Sequence, residues 1–388
     1  MSVPKLRFKE FKGEWEEKKL KDVFTIKYGK DYKHLNSGNI PVIGTGGIMT
    51  YVDQFLYDKP SVLIGRKGTI DKPQFIEKAF WTVDTLFYTE INREFLHFFT
   101  YLLVTQINWY KFNEATGVPS LNTTSINNVE VFTPTYKEQT KIADFLMAVD
   151  EKIAQLTQKC KLLARYKKGV MQQIFSQELR FKDDGDRDFP DWEEKTFSQA
   201  NIKVIDGDRG ENYPNGSDFS NDGYCLFLNA KNVTKSGFVF NEVSFVTKQK
   251  DESLRKGKLI RSDLIITTRG TVGNIAYFDK KITYENIRIN SGMVIIRNDS
   301  SNIEPNYLYK YFYSPRFRKT LEQITFGSAQ PQLTVAEINK FKIDIPMLKE
   351  QTKIANFLTS IDEKITEAQT YLDTVKQYKQ GLLQQMFV

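Results

Sequence analysis

An internal repeat at a constant offset of 212 residues is the feature that most constrains how this chain can fold. Residues 137–153 read KEQTKIADFLMAVDEKI, and residues 349–365 read KEQTKIANFLTSIDEKI, aligned without a gap. The similarity continues to Phe175 in the first copy and to Phe387 in the second. Because a long repeat dictates the architecture, we expect a molecule built of two related halves.

Both copies of the repeat have the heptad pattern of a long helix with one apolar seam. Apolar residues recur seven apart in two rows, which correspond to the a and d positions of a coiled coil. Neither copy contains proline, and roughly 35 to 40 residues give a helix about 50 to 60 Å long. The predicted seam residues are Ile142, Leu146, Val149, Ile153, Leu156, Leu163, Val170, Ile354, Leu358, Ile361, Ile365, Leu372, Val375 and Leu382.

A helix with a single apolar seam needs a partner, and the other copy is the nearest one available. The long segment between the copies leaves enough chain to return in either direction. A charged residue interrupts the d row at the same place in each copy, as Lys167 and Lys379. The alternative is two unrelated amphipathic helices on separate cores, but the shared KEQTKIA start would then be a coincidence.

The segments before the two helices also open alike. Arg7-Phe-Lys and Trp15-Glu-Glu-Lys in the first half match Arg180-Phe-Lys and Trp192-Glu-Glu-Lys in the second. Short β-rich runs then alternate with glycine turns, which is typical of α/β (α+β) domains. The predicted domains are residues 1–136 and 179–348, with coiled-coil helices at 137–178 and 349–388; strands are predicted at 41–44, 61–65, 80–88, 264–268, 274–278 and 292–297, and aromatic core helices at 94–103 and 305–313.

The charge of the chain points only weakly to a polyanionic partner. The formal net charge is +7, of which residues 137–180 contribute +4, and no segment is a basic tail. A nucleic acid would therefore have to be bound by a shaped surface with locally placed Arg and Lys. No run approaches about 18 apolar residues, and the amino terminus lacks the apolar core of a signal peptide, which predicts a cytoplasmic protein without membrane segments.

Motifs for catalysis and for metal binding are missing from the sequence. Two cysteines, Cys160 and Cys225, and two histidines are too few for a disulfide framework or a zinc site, so no metal site is predicted. Neither the Asp/Asn-Pro-Pro-Tyr/Phe of adenine methyltransferases nor a P-loop is present. Carboxylate-x-Lys triplets such as Glu193-Glu-Lys195 lie where solvated charge pairs are expected. We predict no catalytic residue.

Two loops align between the halves. Residues 63–70 read LIGRKGTI and residues 265–272 read IITTRGTV, so an apolar strand runs into a basic residue and a Gly-Thr pair. Glycine allows a tight turn that would place the basic residue at a strand end, facing outward. A Pro-x-Leu loop, at 117–127 and 329–339, carries uncharged side chains able to read base edges or hold phosphates. That it only closes the domain onto its helix is an equal alternative.

In their order along the whole chain, these features resemble the specificity subunit of Type I restriction-modification systems. The resemblance implies two target-recognition domains in a pseudo-two-fold arrangement, joined by an antiparallel coiled coil of two long helices. Each domain would read one half of a split, asymmetric target in double-stranded DNA. Methyl transfer, ATP hydrolysis and cleavage would belong to partner subunits, so S-adenosylmethionine, ATP and Mg are expected there and no cofactor is expected in this chain.

The expected protein partners are two methyltransferase (modification) subunits, docked on the helices, and restriction subunits. If each domain enters a major groove on one face of B-DNA, their centres should lie about 34 Å apart, so the helix length would set the unread spacer. The target bases do not follow from the sequence. The predicted DNA contacts are Lys27, Tyr28, Lys30, Arg66, Lys67, Gly68, Thr69, Ser120, Asn122, Arg209, Lys231, Asn232, Thr268, Arg269, Gly270, Thr271, Gln330 and Gln332.

Two other classes of function remain open at this point. The first is a self-contained restriction or modification enzyme, which methylation or cleavage by the purified chain alone would favour. The second is a coiled-coil scaffold that does not read DNA, which a lack of sequence preference in the presence of partners would favour.

Overall fold

The computed structural model describes residues 3–325 and 332–388, and the chain divides into two compact units. The first unit comprises Met1–Cys160 and Ala368–Val388, and the second comprises Lys161–Glu367. Each long helix is therefore shared between the units, whereas the sequence boundaries treated the helices as domains of their own. Within the described stretches, no helix is long and apolar enough to cross a membrane.

The elements before the first long helix are short. The strands are β1 (Glu16–Lys19), β2 (Phe24–Tyr28), β3 (Ser37–Gly44), β4 (Gly47–Val52), β5 (Ser61–Gly65), β6 (Gln74–Ile76), β7 (Trp81–Thr82), β8 (Leu86–Ile91) and β9 (Glu130–Thr133). The helices are α1 (Leu20–Val23), α2 (His97–Thr105), α3 (Thr123–Asn127), a 3₁₀ turn at Trp109–Phe112, and the long α4 (Tyr136–Phe175).

The first unit is organised around a four-stranded antiparallel sheet with the order β2-β8-β5-β6. Strand β5 is buried at every position, as its unbroken apolar run predicts. A smaller sheet, β4-β3-β7, contains the parallel pair β3 and β7. The single strand predicted at 80–88 is wrong, because a turn in which the Leu86 N–H donates to the Val83 carbonyl (3.0 Å) sends β7 and β8 into different sheets.

The second unit repeats this plan with more strands. They are β10 (Glu193–Thr196), β11 (Ile202–Asp206), β12 (Cys225–Leu228), β13 (Val233–Thr234), β14 (Gly237–Phe238), β15 (Phe245–Val246), β16 (Leu264–Thr267), β17 (Ile275–Tyr277), β18 (Ile287–Ile289), β19 (Met293–Asn298) and β20 (Lys342–Ile345). The helices are α5 (Lys248–Ser253), α6 (Pro305–Tyr311), α7 (Pro315–Thr325), α8 (Val335–Ile338), 3₁₀ turns at Gly216–Asp218 and Ala230–Asn232, and the long α9 (Leu348–Met386).

The four-stranded sheet of the second unit has the order β11-β19-β16-β17 and is again antiparallel. Its smaller sheet, β15-β12-β18, also contains a parallel pair, formed by β12 and β18. Aromatic side chains fill the cores as predicted, since Phe99 of α2 and both Tyr307 and Tyr311 of α6 are fully buried. The two halves of the sequence repeat therefore build the same framework.

The long helices pack antiparallel. In the first unit, Ile142 near the start of α4 shares a core with Leu382 near the end of α9. In the second unit, Val170 near the end of α4 shares a core with Ile354 near the start of α9. Every predicted seam residue is buried or half-buried, as the apolar seam of a paired helix requires.

The lysines that interrupt the seam form ion pairs across it. Lys167 Nζ lies 2.5 Å from an Asp362 carboxylate oxygen, and Lys379 Nζ lies 2.6 Å from Asp150. Asp362 also binds Lys310 at 2.6 Å. Burial alone would raise the pKa of Asp362, but the hydrogen bonds from the two lysines outweigh it and hold that pKa below its ordinary value. Polar pairs of this kind in an apolar seam specify register.

The repeated openings and helix starts meet in a buried cluster in each unit. Arg7 donates two hydrogen bonds of 2.7 Å to Glu138, which also accepts from Trp15 Nε1 at 3.3 Å. In the second unit, Glu350 accepts from Arg180 at 3.2 and 2.9 Å and from Trp192 Nε1. Both glutamates are buried, with at most 1% of the residue exposed.

The glutamine that follows each of these glutamates ties the helix to its domain. Gln139 donates to the Pro134 carbonyl at 3.1 Å and accepts from the Leu96 N–H at 2.9 Å. Gln351 does the same with Pro346 at 2.8 Å and Glu304 at 2.9 Å. The Lys-Glu-Gln start of the repeat is therefore a packing motif.

The two cysteines are packing residues, and in the described residues the side chains that could bind a metal do not cluster. Cys225 is buried, and burial raises the pKa of its thiol to about 12, so it is a small core residue as predicted. Cys160 is half-buried on the seam, and both thiols are free. Within residues 3–325 and 332–388, no three His, Cys, Asp or Glu side chains gather as metal ligands would.

Candidate nucleic-acid interface

In the first unit, turns gather at one edge of the four-stranded sheet. Strands β2 and β5 end there and β8 begins there, because neighbouring strands are antiparallel. Gly29 packs so closely on the opposite turn that an added Cβ would lie 2.0 Å from the Val83 carbonyl oxygen. We call residues 28–30, 66–69, 83–85 and 119–122 the first rim.

Arg66 is held in a defined orientation on the first rim. Its N–H donates to the Thr85 carbonyl at 2.8 Å, and its guanidinium donates to the Asp84 carbonyl at 3.1 Å. The guanidinium carbon lies 5.4 Å from the ring centre of Tyr28, within the range of a cation–π contact. Tyr28 is itself 52% exposed, so the pair presents a flat, cationic surface to solvent.

The Arg-Lys-Gly-Thr loop and the Pro-x-Leu loop, which are far apart in the sequence, are hydrogen-bonded to each other in the first rim. The Gly68 N–H donates to the Pro119 carbonyl at 2.8 Å, and the Leu121 N–H donates to the Arg66 carbonyl at 2.9 Å. Gly68 has φ +88°, which favours glycine. The exposed Lys67 is bridged to Ser120 by the same pairing.

The other predicted DNA contacts in this unit differ in exposure and in the bonds that their side chains already make. Lys30 is exposed on the first rim, whereas Lys27 lies within β2 and forms an ion pair with Glu90 at 3.4 Å. Thr69 is half-buried beside Gly65. The Asn122 side chain caps α3 by accepting from the Ser125 N–H at 2.7 Å and also donates to Glu114. Asn122 therefore already has a structural role.

The second unit builds the corresponding edge. Gly207 packs on Asn290 as Gly29 does on Val83, since an added Cβ would lie 2.2 Å from the carbonyl oxygen. The Thr268 N–H donates to the Gly292 carbonyl at 2.8 Å, and the Leu333 N–H donates to the Thr268 carbonyl at 3.1 Å. We call residues 207–210, 268–271, 290–292 and 332–333 the second rim.

Several predicted contacts are exposed on the second rim. Arg269, Gly270 and Thr271 follow one another at the tip of the turn, where the glycine has φ +69°. Arg209 is exposed and donates to the Ser291 carbonyl at 3.2 Å. Gln332 is exposed, and the predicted Gln330 lies outside the described residues.

Two of the predicted contacts have buried side chains, which are not available at the surface. Thr268 is 2% exposed and both of its backbone groups are bonded within the rim. Asn232 is 1% exposed and donates to the carbonyls of Val239 at 3.0 Å and Glu242 at 2.8 Å. The neighbouring Lys231 is exposed but forms an ion pair with the Glu242 carboxylate at 2.6 Å.

Arg255 and Lys256 were missed by the sequence prediction, although both are exposed beside the second rim. A signal was present, because the tripeptide Arg-Lys-Gly occurs at 66–68 and again at 255–257. It was missed because the second occurrence does not fall at the repeat offset.

The chain matches one protein-family model over most of its length. Residues 12–164 and 191–377 match the Type I restriction modification DNA specificity domain. This chain belongs to that family. The first matched segment contains the first rim, and the second contains the described part of the second rim, so each specificity domain carries one such edge.

Related proteins carry names of the same kind. The chain is 25% identical to the Type I restriction enzyme MjaVIII specificity subunit of Methanocaldococcus jannaschii, over 70% of this chain and 64% of that protein. It is 24% identical to the putative type I restriction enzyme specificity subunit S.HindORF215P of Haemophilus influenzae, over 84% and 81%. The chain spans just under two thirds of the MjaVIII subunit and, at 66%, of the putative MjaX subunit.

Solved structures share the fold. The crystal structure of the Type-I restriction-modification system S subunit from M. genitalium aligns with a TM-score of 0.65 at 15% identity, over 100% of this chain and 99% of that one. A chain from a structure of type I R-M complex assembly and conformational transition aligns with a TM-score of 0.57, over 95% and 96%. This chain therefore shares its fold with these solved structures.

Proposed function

We propose that this chain is the non-catalytic, DNA-reading subunit of a Type I restriction-modification complex, and that each unit reads one half of a bipartite target. The observation that carries the proposal is that one framework builds the same edge twice with different side chains. The first rim presents Tyr28, Arg66 and Lys67, and the second presents Arg209 and Arg269. A constant framework with divergent edges suits two readers of two different sequences.

The rim arginines have the chemistry that base recognition needs. A guanidinium can donate two hydrogen bonds to one guanine, which would supply about 1 to 3 kcal/mol of discrimination. The bonds from Arg66 to Asp84, and from Arg209 to Ser291, orient those guanidinium groups in advance. A contact to phosphate would instead strengthen binding to every sequence alike.

The partners in this proposal are two methyltransferase subunits, docked on the long helices, and restriction subunits. Tyr166 of α4 and Tyr378 of α9 are related by the repeat offset and are 52% and 56% exposed. An exposed aromatic side chain at equivalent places in the two units supports docking of two copies of one partner. S-adenosylmethionine, ATP and Mg²⁺ would be held by those partners.

The test is a map of N6-methyladenine in cells with and without this gene, with the partner methyltransferase expressed in both. Loss of a bipartite motif with a constant spacer is the expected result. The purified chain, incubated alone with S-adenosylmethionine or with Mg²⁺ and ATP, should neither methylate nor cleave DNA. An unchanged methylome would contradict the DNA-reading role, and activity of the chain alone would contradict the non-catalytic one.

A further inference from the structure

A basic depression of about 350 Å³ lies beside the second rim. It is formed by the loop after β11 and by the loop that precedes β16. The residues that line it are Asp206, Gly207, Asp208, Arg209, Gly210, Arg255 and Lys256.

Asp208 joins the two loops of this depression. Its carboxylate is buried and accepts backbone N–H groups from Gly210 at 2.7 Å, Arg255 at 2.6 Å and Lys256 at 3.3 Å. Burial would raise the pKa of Asp208, but these hydrogen bonds outweigh it and keep that pKa below its ordinary value. The carboxylate is thus an internal acceptor that fixes where residues 255 and 256 lie.

The backbone of the depression is closely packed. Gly257 has φ +87°, and an added Cβ there would lie 3.3 Å from the Gly207 Cα. Gly68, at the end of the first Arg-Lys-Gly sequence, has φ +88°. In both units a left-handed glycine therefore ends a turn that projects an arginine and a lysine.

Arg255 and Lys256 differ from most basic residues near them in forming no ion pair within 4 Å in the described parts of the chain, although the charge of Arg255 also helps to lower the pKa of Asp208. Arg209 is paired with Asp206 at 3.1 Å, and Lys250 with Asp218 at 3.1 Å. The Asp208 oxygens are occupied by backbone N–H groups. The depression therefore presents two exposed cations to solvent, neither of which is held in a side-chain ion pair.

We propose that Arg255 and Lys256 each bind one of two neighbouring backbone phosphates of the DNA, and that Asp208 is the positioning residue that holds them. This inference rests on the proposed function of the second unit. The pair lies beside the base-reading edge. Gly207, which lines the depression, packs on Asn290. Two residues later, the Gly292 carbonyl accepts from the Thr268 N–H, at the start of the turn that carries Arg269. Two cations on adjacent residues, at the flank of the edge, match the density of charge on a DNA strand.

The experiment uses the complex reconstituted with its methyltransferase subunits, and two duplexes, one with the mapped methylation motif and one scrambled. The double variant Arg255→Gln/Lys256→Gln should weaken binding to both duplexes by the same factor. The slope of log Kd against log salt should fall by about 2, since each lost phosphate contact removes about 0.9. The methylation motif should stay the same.

The matched control is Lys280→Gln/Lys281→Gln, which removes the same charge from the opposite end of the same sheet, where β17 ends. Both control lysines are exposed, and their replacement should leave the slope unchanged. An unchanged slope in the Arg255/Lys256 variant, or an equal fall in the control, would overturn the phosphate site. A changed motif would show base reading instead. If the unaltered complex does not distinguish the two duplexes, the proposed function itself fails.

Asp208→Asn tests the positioning role in a double-variant cycle. The substitution should weaken DNA binding in the otherwise unaltered complex and reduce the salt slope. In the Arg255→Gln/Lys256→Gln background it should have no further effect, because the groups that it positions are gone. An equal loss of affinity in both backgrounds would show that Asp208 acts only through general stability, and would contradict the positioning role.

Discussion

Glu138 and Glu350 show why a few identical residues recur in two otherwise divergent halves. Each carboxylate is buried at the start of a long helix and accepts hydrogen bonds from an arginine and a tryptophan of the domain opening. Such a carboxylate replaces its lost hydration with charge-assisted bonds. The opening and the helix start are therefore one structural unit, which keeps a domain attached to its helix.

Replacing Glu138 with glutamine should destabilise the first unit by about 3 kcal/mol, because the partly buried Arg7 guanidinium would lose its counter-charge. Urea unfolding of the full chain, followed through tryptophan fluorescence, measures the loss. The control is Glu10→Gln, whose carboxylate is about half exposed and lies 3.5 Å from Lys141. Exposed pairs contribute about 0 to 1 kcal/mol, so equal losses in the two variants would contradict the account.

At the scale of single residues, the sequence located the edge loops but did not tell which side chains are free. Arg269 and Lys67 follow strand ends, and both are exposed as predicted. Asn232 has the same hydrogen-bonding capacity as an exposed asparagine, yet Val239 and Glu242 use it internally. Residue type gives the chemistry of a side chain, whereas burial, which depends on tertiary packing, decides its availability.

Among the elements, the long helices were the most predictable, because their heptad pattern extends over the whole length of each helix. Turns and short helices were less predictable from the sequence. Helix α7 was not predicted, although Ser314 caps it by accepting from the Phe317 N–H at 3.2 Å and Pro315 stands at its first position. Ser followed by Pro is a recognised start signal. The break between β7 and β8 had no glycine or proline to mark it.

The ion pair between the helices predicts a dependence of stability on pH. The pKa of Asp362 is lowered by Lys167 and Lys310, so its stabilising effect is complete above its ordinary pKa of 3.8 and is lost as the pH falls through the lowered value. Asp362→Asn should therefore be less stable than the natural protein at pH 7. The difference should shrink toward pH 3, because a protonated aspartate is neutral like asparagine.

Urea unfolding of both proteins between pH 7 and pH 3 measures this difference. The matched control is Asp373→Asn on the same helix, an exposed carboxylate that accepts from Gln369 at 3.0 Å, for which a small difference at every pH is expected. If the difference in unfolding free energy between Asp362→Asn and the natural protein stayed constant down to pH 3, the charge of Asp362 would not be the source of its stabilising effect.

For the molecule as a whole, the repeat separates what is shared from what differs. Both units have a four-stranded antiparallel sheet beside a smaller sheet with one parallel pair. Their edges differ, with a Tyr28–Arg66 pair in one and a Gly207–Arg209 loop in the other. The framework was predictable because the sequence repeat gives it in both halves. The target bases are not predictable, because each rim has its own side chains and occurs only once.

Together with the proposed function, this division predicts that damage to one rim alters one half of the recognised sequence. Arg66→Ala/Lys67→Ala should relax or abolish recognition at one half-site, at a cost of about 1 to 3 kcal/mol for each lost base contact. Arg269→Ala should do the same at the other half-site only. Methylation maps of cells that express each variant with the partner methyltransferase would show which positions of the motif become degenerate. The spacer should stay constant in both, because the long helices are unchanged. If either variant altered both halves together, the two units would not be independent readers, and one composite surface would have to replace the half-site model.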